Sequence, residues 1–287
     1  MTIGEKITKL RTSQNISQEQ LAEKLSVSRQ SVSKWEMDQA LPQIDKVLSL
    51  CELFNITTDE LLIDSMVIEQ KEAFVPGKLK YFGTDGFRGE ANMNLTSMQA
   101  YKVGRFLGHY YSQKGDCSVA IGKDTRRSSY MFEDALSAGL TASGADVYLL
   151  HVTTTPSVSY VTRTEDFDCG IMISASHNVF YDNGIKLINS QGRKMDAEVE
   201  AKVEAYIDGE FGEIPYATRE KVGRTVDYSA GRNRYIGHLI SMATRSFKDK
   251  RVALDCSNGS ASTIAKSVFD ALGAKTYVIN AEPDGYN

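Results

Sequence analysis

One stretch of the chain concentrates groups that could do chemistry. In MISASHNVFYDNGIK, residues 172–186, an apolar run leads straight into Ser174, Ser176, His177 and Asn178. Asp182, Asn183, Gly184 and Lys186 follow within the same short segment. A turn uses Asn and Gly but has no need of Ser, His and Lys. A serine after a strand is commonly a turn former, and a histidine beside it is commonly a packed or surface residue. The Gly-x-Ser-x-Gly elbow is absent, so acyl transfer lacks its signature. The four histidines, His109, His151, His177 and His238, form no metal-like pair, which argues against a zinc site.

Two further segments stand beside this one. YFGTDGFRGE (residues 81–90) is glycine-rich around Thr84, Asp85 and Arg88. Its glycines let backbone amides approach an anion, and Arg88 offers a planar two-toothed grip on phosphate. IGKDTRRSS (residues 121–129) follows the strand-like CSVAIG and leads into a helical pattern, whose free N–H groups also favour an anion. Lys123 and Arg126 are its candidate cations. Taken singly, each segment is a weak signal, because an Arg or Lys in a loop is usually a solvated surface residue.

The elements that position these residues follow from periodicity. From Lys80 onward, β-rich runs such as CSVAIG, DVYLL and CGIMIS alternate with helical stretches such as YMFEDALSAGLTASG. That alternation predicts βαβ units and a largely parallel, two-sided sheet. Near Tyr228 a new unit begins, with helix RNRYIGHLISMATRSF, strand RVALDCS, helix ASTIAKSVFDALG and strand KTYVIN. Two strands and two helices cannot cover both faces of a parallel sheet, so this unit is expected to be incomplete.

Residues 1–64 read as helical throughout. Ile3, Ile7 and Leu10 fall at helical spacing, as do Leu21 and Leu25. Ser17-Gln18-Glu19-Gln20 has the form of a capping box, Ser28 is placed to cap a third helix, and Thr57 or Thr58 a last short one. The run QEQLAEKLSVSRQSVSKWE resembles the helix-turn-helix of the Cro and lambda-repressor family. Ala22 would allow the close helix crossing, Val27 would sit in the turn, and Val32 and Trp35 would face the core. The resemblance implies that the start of the recognition helix enters the major groove. Arg29, Gln30 and Lys34 are then candidates for base contacts, and Gln18, Ser28 and Ser31 for phosphates. Where that family has Trp-Glu-x-Gly, this chain has Trp35-Glu36-Met37-Asp38, which puts Asp at a left-handed position. Residues 1–34 carry six Lys or Arg against three Asp or Glu, and residues 35–64 one against seven. The basic half could face DNA while the acidic half weakens non-specific affinity. The competing reading is a small helical bundle for protein contacts or dimerisation.

FGTDGFRG, IGKDTRRSS, ISASHN, YDNGIK and the terminal AEPDGYN occur in that order from about Leu79 to Asn287. Together they resemble the α-D-phosphohexomutase family, most closely its phosphoglucosamine mutase branch. The resemblance implies that Ser176 carries a phosphoryl group, which passes to glucosamine 6-phosphate and returns from a bound 1,6-bisphosphate, releasing glucosamine 1-phosphate. It implies Arg88 near that phosphoserine, Lys186 as proton acceptor or charge stabiliser, and His177 and Asn178 shaping the loop. Thr84, Asp85, Lys123 and Arg126 fall on the phosphate or substrate side. A phosphoserine brings a charge of about −1.5 to −2 and needs cations close by. The family has Pro after Ser-His-Asn, where this chain has Val179, so its loop forgoes the stiffening of a fixed φ. Mg²⁺ is implied as cofactor, with Ser176 contributing through its phosphate. The Asp-rich loop that holds the metal, and the third and fourth domains, do not occur in this sequence.

The expected organisation is therefore an all-α helix-turn-helix domain over 1–64, a linker over 65–78, phosphohexomutase domain I over 79–228, and the first part of an α/β domain II over 229–287. The expected function is a phosphoglucosamine mutase-like phosphotransferase fused to a DNA-binding module, with no appreciable turnover from this chain alone. The alternative is a DNA-binding regulator that reuses part of a mutase for sensing or dimerisation. The expected partners are DNA and a hexosamine phosphate, with a homodimer compatible. At 287 residues, 41% hydrophobic and 24% charged, the composition is that of an ordinary globular protein, and a net charge of −4 gives no bulk attraction to nucleic acid. Cys51, Cys117, Cys169 and Cys256 stand singly, as buried thiols of a cytoplasmic protein would. The polar N-terminus has no signal core, and no apolar run is long enough to span a membrane.

Overall fold

The computed structural model describes residues 2–13, 16–54, 56, 58–63, 79–113 and 115–286. It divides into two units, Met1–Phe74 and Val75–Asn287. The linker reading of residues 65–78 and the capping reading of Thr57 lie outside the described residues.

The first unit is helical, as its periodicity requires: α1 (Ile3–Ser13), α2 (Gln18–Lys24), α3 (Arg29–Glu36), α4 (Ile44–Phe54) and α5 (Thr58–Leu62). Ile7, Leu21, Val32, Trp35, Leu50 and Leu61 meet in one core. Each such fully buried side chain contributes about 1.5–3 kcal/mol. Ser17 closes the expected capping box with Gln20, and Ser28 caps α3 by accepting the Ser31 N–H. Asp38 does adopt a left-handed backbone, with φ of 54°. Its carboxylate accepts the Gly4 N–H at 2.8 Å and the Thr2 hydroxyl at 2.6 Å, so it caps α1 from outside that helix. Gly4 allows the approach, because a Cβ there would lie 2.7 Å from the same carboxylate.

The second unit is built on a seven-stranded sheet of β1 (Phe82–Gly83), β2 (Gly86–Glu90), β3 (Cys117–Lys123), β4 (Ala145–Val152), β5 (Cys169–Ile173), β6 (Asp182–Asn189) and β7 (Thr225–Asp227). Their spatial order is β1-β2-β6-β5-β3-β4-β7. Helices α6 (Ser97–Ser112), α7 (Arg127–Thr141) and α9 (Ala197–Asp208) pack on one face around Phe106, Phe132, Leu136, Ile171 and Val203. Helix α8 (Thr155–Thr164) covers Ala120, Leu150 and Met172 on the other. The α/β class stands, but the sheet is mixed rather than largely parallel. β4, β3 and β5 run parallel, with β7 alongside β4, whereas β6, β2 and β1 are antiparallel additions. The reason is chain length. Residues 174–181 alone join β5 to β6, too few for a crossover of about a dozen residues, so β6 must return antiparallel. The connection that carries Ser176 therefore sets the sheet's direction.

Beyond β7, α10 (Ser229–Ser241), β8 (Arg251–Asp255), α11 (Ala265–Ala271) and β9 (Lys275–Ile279) appear in the expected order. β8 and β9 pair in parallel as a separate sheet.

Candidate active site and recognition helix

Ser176 lies at the mouth of the β5–β6 loop, directly after the fully buried Ile173 and Ala175. Its φ is 58°, a left-handed conformation unusual for a residue with a Cβ. The Ser174 hydroxyl holds it there by accepting the Ser176 N–H at 3.0 Å. The hydroxyl of Ser176 itself faces solvent, with His177 Nδ1 3.5 Å away. Asn178 donates its side-chain amide to Asp182 at 3.0 Å, tying one end of the loop to the start of β6. Backbone strain of this kind persists only where the surroundings over-determine it, and it gathers at functional sites.

Arg88 and Lys186 come together through the sheet. Arg88 on β2 is opposite Gly184 on β6, and Lys186 lies two residues further along, so both side chains leave the same face. Gly184 makes room for this: a Cβ there would lie 2.8 Å from the Ser174 carbonyl oxygen and 3.1 Å from Arg88 Cγ. Arg88 pairs with Asp85 at 3.1 Å through Nη2, while its buried Nε has no hydrogen-bond partner. Burial, followed by the charge of Arg88, pushes the Lys186 ammonium below its ordinary pKa. Thr84 and Asp85, the two turn residues between β1 and β2, line a cavity of about 430 Å³ together with Lys186, Arg193, Lys194 and Glu200.

Two candidate cations of the IGKDTRRSS segment are placed otherwise than the sequence suggests. Lys123 is buried, paired with Glu133 and lying 4.4 Å over the Tyr130 ring, so it presents no free charge to a substrate. Arg126 is also buried and directs its guanidinium into the protein, against Asp124 and the Ser176 loop. The anion at the start of α7 is the protein's own. Asp124 Oδ1 accepts the Arg126 N–H at 3.0 Å and the Ser129 hydroxyl at 2.6 Å. A short chain from strand to helix lets a side chain fill the place a phosphate would take.

Among the described residues no group of three or more His, Cys, Asp or Glu side chains is placed to hold a metal ion. The residues present do not make a magnesium site; Ser176, once phosphorylated, would offer a single ligand group. The four cysteines are buried and none forms a disulfide among the described residues. Among the described residues no helix is long and apolar enough to cross a membrane.

In the helical unit, Ser28, Arg29, Gln30 and Lys34 are exposed along the start and outer face of α3. Arg29 makes a solvent-exposed contact with Glu19 at 3.4 Å. Ser31 is half-buried, its hydroxyl 2.9 Å from that of Ser28. Gln18 turns inward and donates to Glu36 at 2.7 Å, so part of its amide is engaged in a network with Arg11.

Comparison with known proteins decides what the larger unit is. Residues 79–212 match the family model of phosphoglucomutase/phosphomannomutase, alpha/beta/alpha domain I. The chain carries a phosphohexomutase first domain. Phosphoglucosamine mutases of Lachnospira eligens and Lachnoclostridium phytofermentans are 74% identical over 211 residues and 73% identical over 208. Each match covers 72% of this chain, and 47% and 46% of the relative, so the chain spans about half the length of these curated relatives. A crystal structure of a phosphoglucomutase/phosphomannomutase family protein from Burkholderia thailandensis shares the fold. It has a TM-score of 0.60 at 23% identity, over 72% of this chain and 45% of that one. Residues 7–61 match a helix-turn-helix family model.

Sequence reasoning missed part of what supports the phosphohexomutase loop. Asn183 is fully buried on β6, where it donates to Ser128 and Ser129 and accepts the Gly184 N–H. A buried amide inside a strand is costly unless satisfied, and that was the available signal. Arg193, Lys194 and Glu200 reach the cavity from β6's far end and from α9, too distant in sequence for any motif to connect.

Proposed function

We propose that residues 79–287 form the phosphoserine-bearing part of a mutase that interconverts glucosamine 6-phosphate and glucosamine 1-phosphate, fused to a sequence-specific DNA-binding unit. One observation carries the catalytic reading. Ser176 is held in a left-handed conformation with its hydroxyl in solvent, and Arg88 and Lys186 share the adjoining face of the sheet. A phosphoryl transfer is chiefly positioning and electrostatic stabilisation, and this arrangement offers both. In the loading step Ser176 Oγ forms a bond to phosphorus as the bond from phosphorus to a sugar oxygen breaks. The hydroxyl proton passes to Lys186, whose lowered pKa makes the neutral amine more accessible, and the departing oxygen is protonated in turn. Arg88, with its unpartnered Nε, balances the charge on the transferring group. The names of the relatives support the amino-sugar substrate; Mg²⁺, the cofactor that the family resemblance implies, would find only the phosphate on Ser176 as a ligand group among the described residues. Four buried cysteines outside any disulfide suit the cytoplasm.

The test is direct. Incubated with glucosamine 1,6-bisphosphate and Mg²⁺, the chain should gain one phosphate, located on Ser176 by peptide mass spectrometry. Phosphate found elsewhere, or none, would overturn the reading. For the helical unit, the exposed Arg29 and Gln30 at the start of α3 support groove reading. Selection from a random duplex library should return a defined motif, and selection of no motif would leave a bundle for protein contacts as the better account.

A further inference from the structure

Arg126 is the most fully engaged side chain near the nucleophile. Nε donates to Asp124 Oδ2 at 2.9 Å. Nη1 donates to the carbonyls of Val179 and of Asp182, the latter at 3.1 Å. Nη2 donates to the carbonyls of Ser176 at 3.0 Å and Asn178 at 2.8 Å. A guanidinium has five N–H groups, and all five have acceptors within the protein, so none remains for a substrate phosphate. Three of those acceptors belong to the loop that presents Ser176, and a fourth, the Asp182 carbonyl, opens β6 directly after it. The anchor behind them is equally fixed: Asp124 accepts the Ser129 hydroxyl, and Ser129 accepts Asn183 Nδ2 at 2.9 Å from β6, where the loop ends. The first turn of α7 is thereby bound to the loop's beginning, middle and end.

We infer that Arg126 is the positioning residue of the phosphoserine loop, supplying through its hydrogen bonds the rigidity that a proline at position 179 would build into the backbone. This rests on the phosphoserine reading of Ser176. Arg126 holds the carbonyls of the two peptides that flank the Val179 Cα, those of Asn178 and Val179, which limits the backbone freedom a proline ring would remove. Among the described residues Val179 N–H donates to no protein acceptor, so a proline there forfeits no hydrogen bond. Lysine cannot substitute, because a point charge with three donors on one nitrogen does not span the four carbonyls.

The experiment compares Arg126→Lys, Val179→Pro and the double variant in the full chain. Arg126→Lys keeps a cation beside buried Asp124, so the fold should survive. Phosphate uptake on Ser176 from glucosamine 1,6-bisphosphate should fall about 10²-fold, as expected when a reacting group is displaced by about 1 Å. Hydrogen exchange at the Asn178 and Asp182 amides, which close the loop onto Ala175 and Val179, should quicken. Adding Val179→Pro should recover much of both, a rescue that general destabilisation would not give. Wild-type uptake and exchange in Arg126→Lys, or no recovery in the double variant, overturns the assignment. If Arg126→Lys does not fold, Val179→Pro alone decides: values near wild type support a loop already fixed by Arg126, and a large gain in uptake overturns it. Absence of phosphate on Ser176 in the unaltered chain defeats the phosphoserine reading, while the exchange rates still decide the clamp.

Discussion

Asp38 in the helical unit and Ser176 in the α/β unit both adopt a left-handed backbone, at φ of 54° and 58°. Each sits where a residue with a Cβ incurs about 1–2 kcal/mol of strain. They differ in what their side chains do. The Asp38 carboxylate is tied into the protein, capping α1 through Gly4 and Thr2. The Ser176 hydroxyl is left in solvent, and other groups hold its backbone: Ser174 through the N–H and Arg126 through the carbonyl. Strain with an engaged side chain is repaid locally as structure. Strain with a free side chain, supported from outside, marks a group held ready to react.

The comparison breaks most sharply at Ser176. Ser176→Ala should abolish phosphate uptake, by at least about 10³-fold, because no other group takes over a lost nucleophile. Its melting temperature should stay close to that of the unaltered chain, since the hydroxyl contributes no buried contact. A marked loss of stability would mean that Ser176 is structural after all, like Asp38.

The two ends of α3 repeat the contrast within one helix. At its start Arg29 and Gln30 are exposed, and beyond its end Asp38 is engaged. Arg29→Ala and Gln30→Ala should each weaken binding to the selected duplex by about 10- to 100-fold and relax preference at one position, as loss of a bidentate base contact of about 1–3 kcal/mol requires. Binding that falls equally for all sequences would assign them to phosphates instead. Asp38→Ala should leave base preference intact but destabilise the helical unit by about 2 kcal/mol, from the lost cap and from alanine's poor fit at positive φ. Asp38→Gly relieves the strain and should cost about 1 kcal/mol less than Asp38→Ala. Trp35 is the only tryptophan and lies in that unit's core, so its fluorescence reports on this unfolding separately.

The legibility of the chain follows the same division. Features set by neighbours in sequence were readable: five helices, the Ser17 and Ser28 caps, the alternation of strand and helix, and the loop carrying Ser176. Features set across space were not. Arg126 and Lys123 were visible as cations beside a strand end, but nothing local reveals that the acceptors of one are carbonyls some 50 residues on, or that the other pairs with Glu133. The sheet was expected to be largely parallel because helices alternate with strands. The exception, β5 to β6, lay in the same residues whose chemistry had been noticed, and their small number was the overlooked signal. The Asp at position 38 looked like a weakness because its partner, the start of α1, is 34 residues away.

Lys186 offers the finest test, because its free charge should cost the fold something that Asp38 does not. Burial and Arg88 lower its pKa, so the folded chain releases this proton more readily than the unfolded chain does. Below the folded-state pKa both states hold the proton and the penalty on the fold is complete. As pH rises from there toward the ordinary lysine value of about 10.4, the unfolded state holds more protons and stability increases, until above that value the penalty is gone. Lys186→Met removes the charge while keeping the stem. It should raise the melting temperature at neutral pH, and the gain should vanish as pH approaches about 10.4. Phosphate uptake should fall in the same variant. A lower melting temperature in Lys186→Met at neutral pH would show that Lys186 is tied into the fold as Asp38 is, and would remove it from the proposed chemistry.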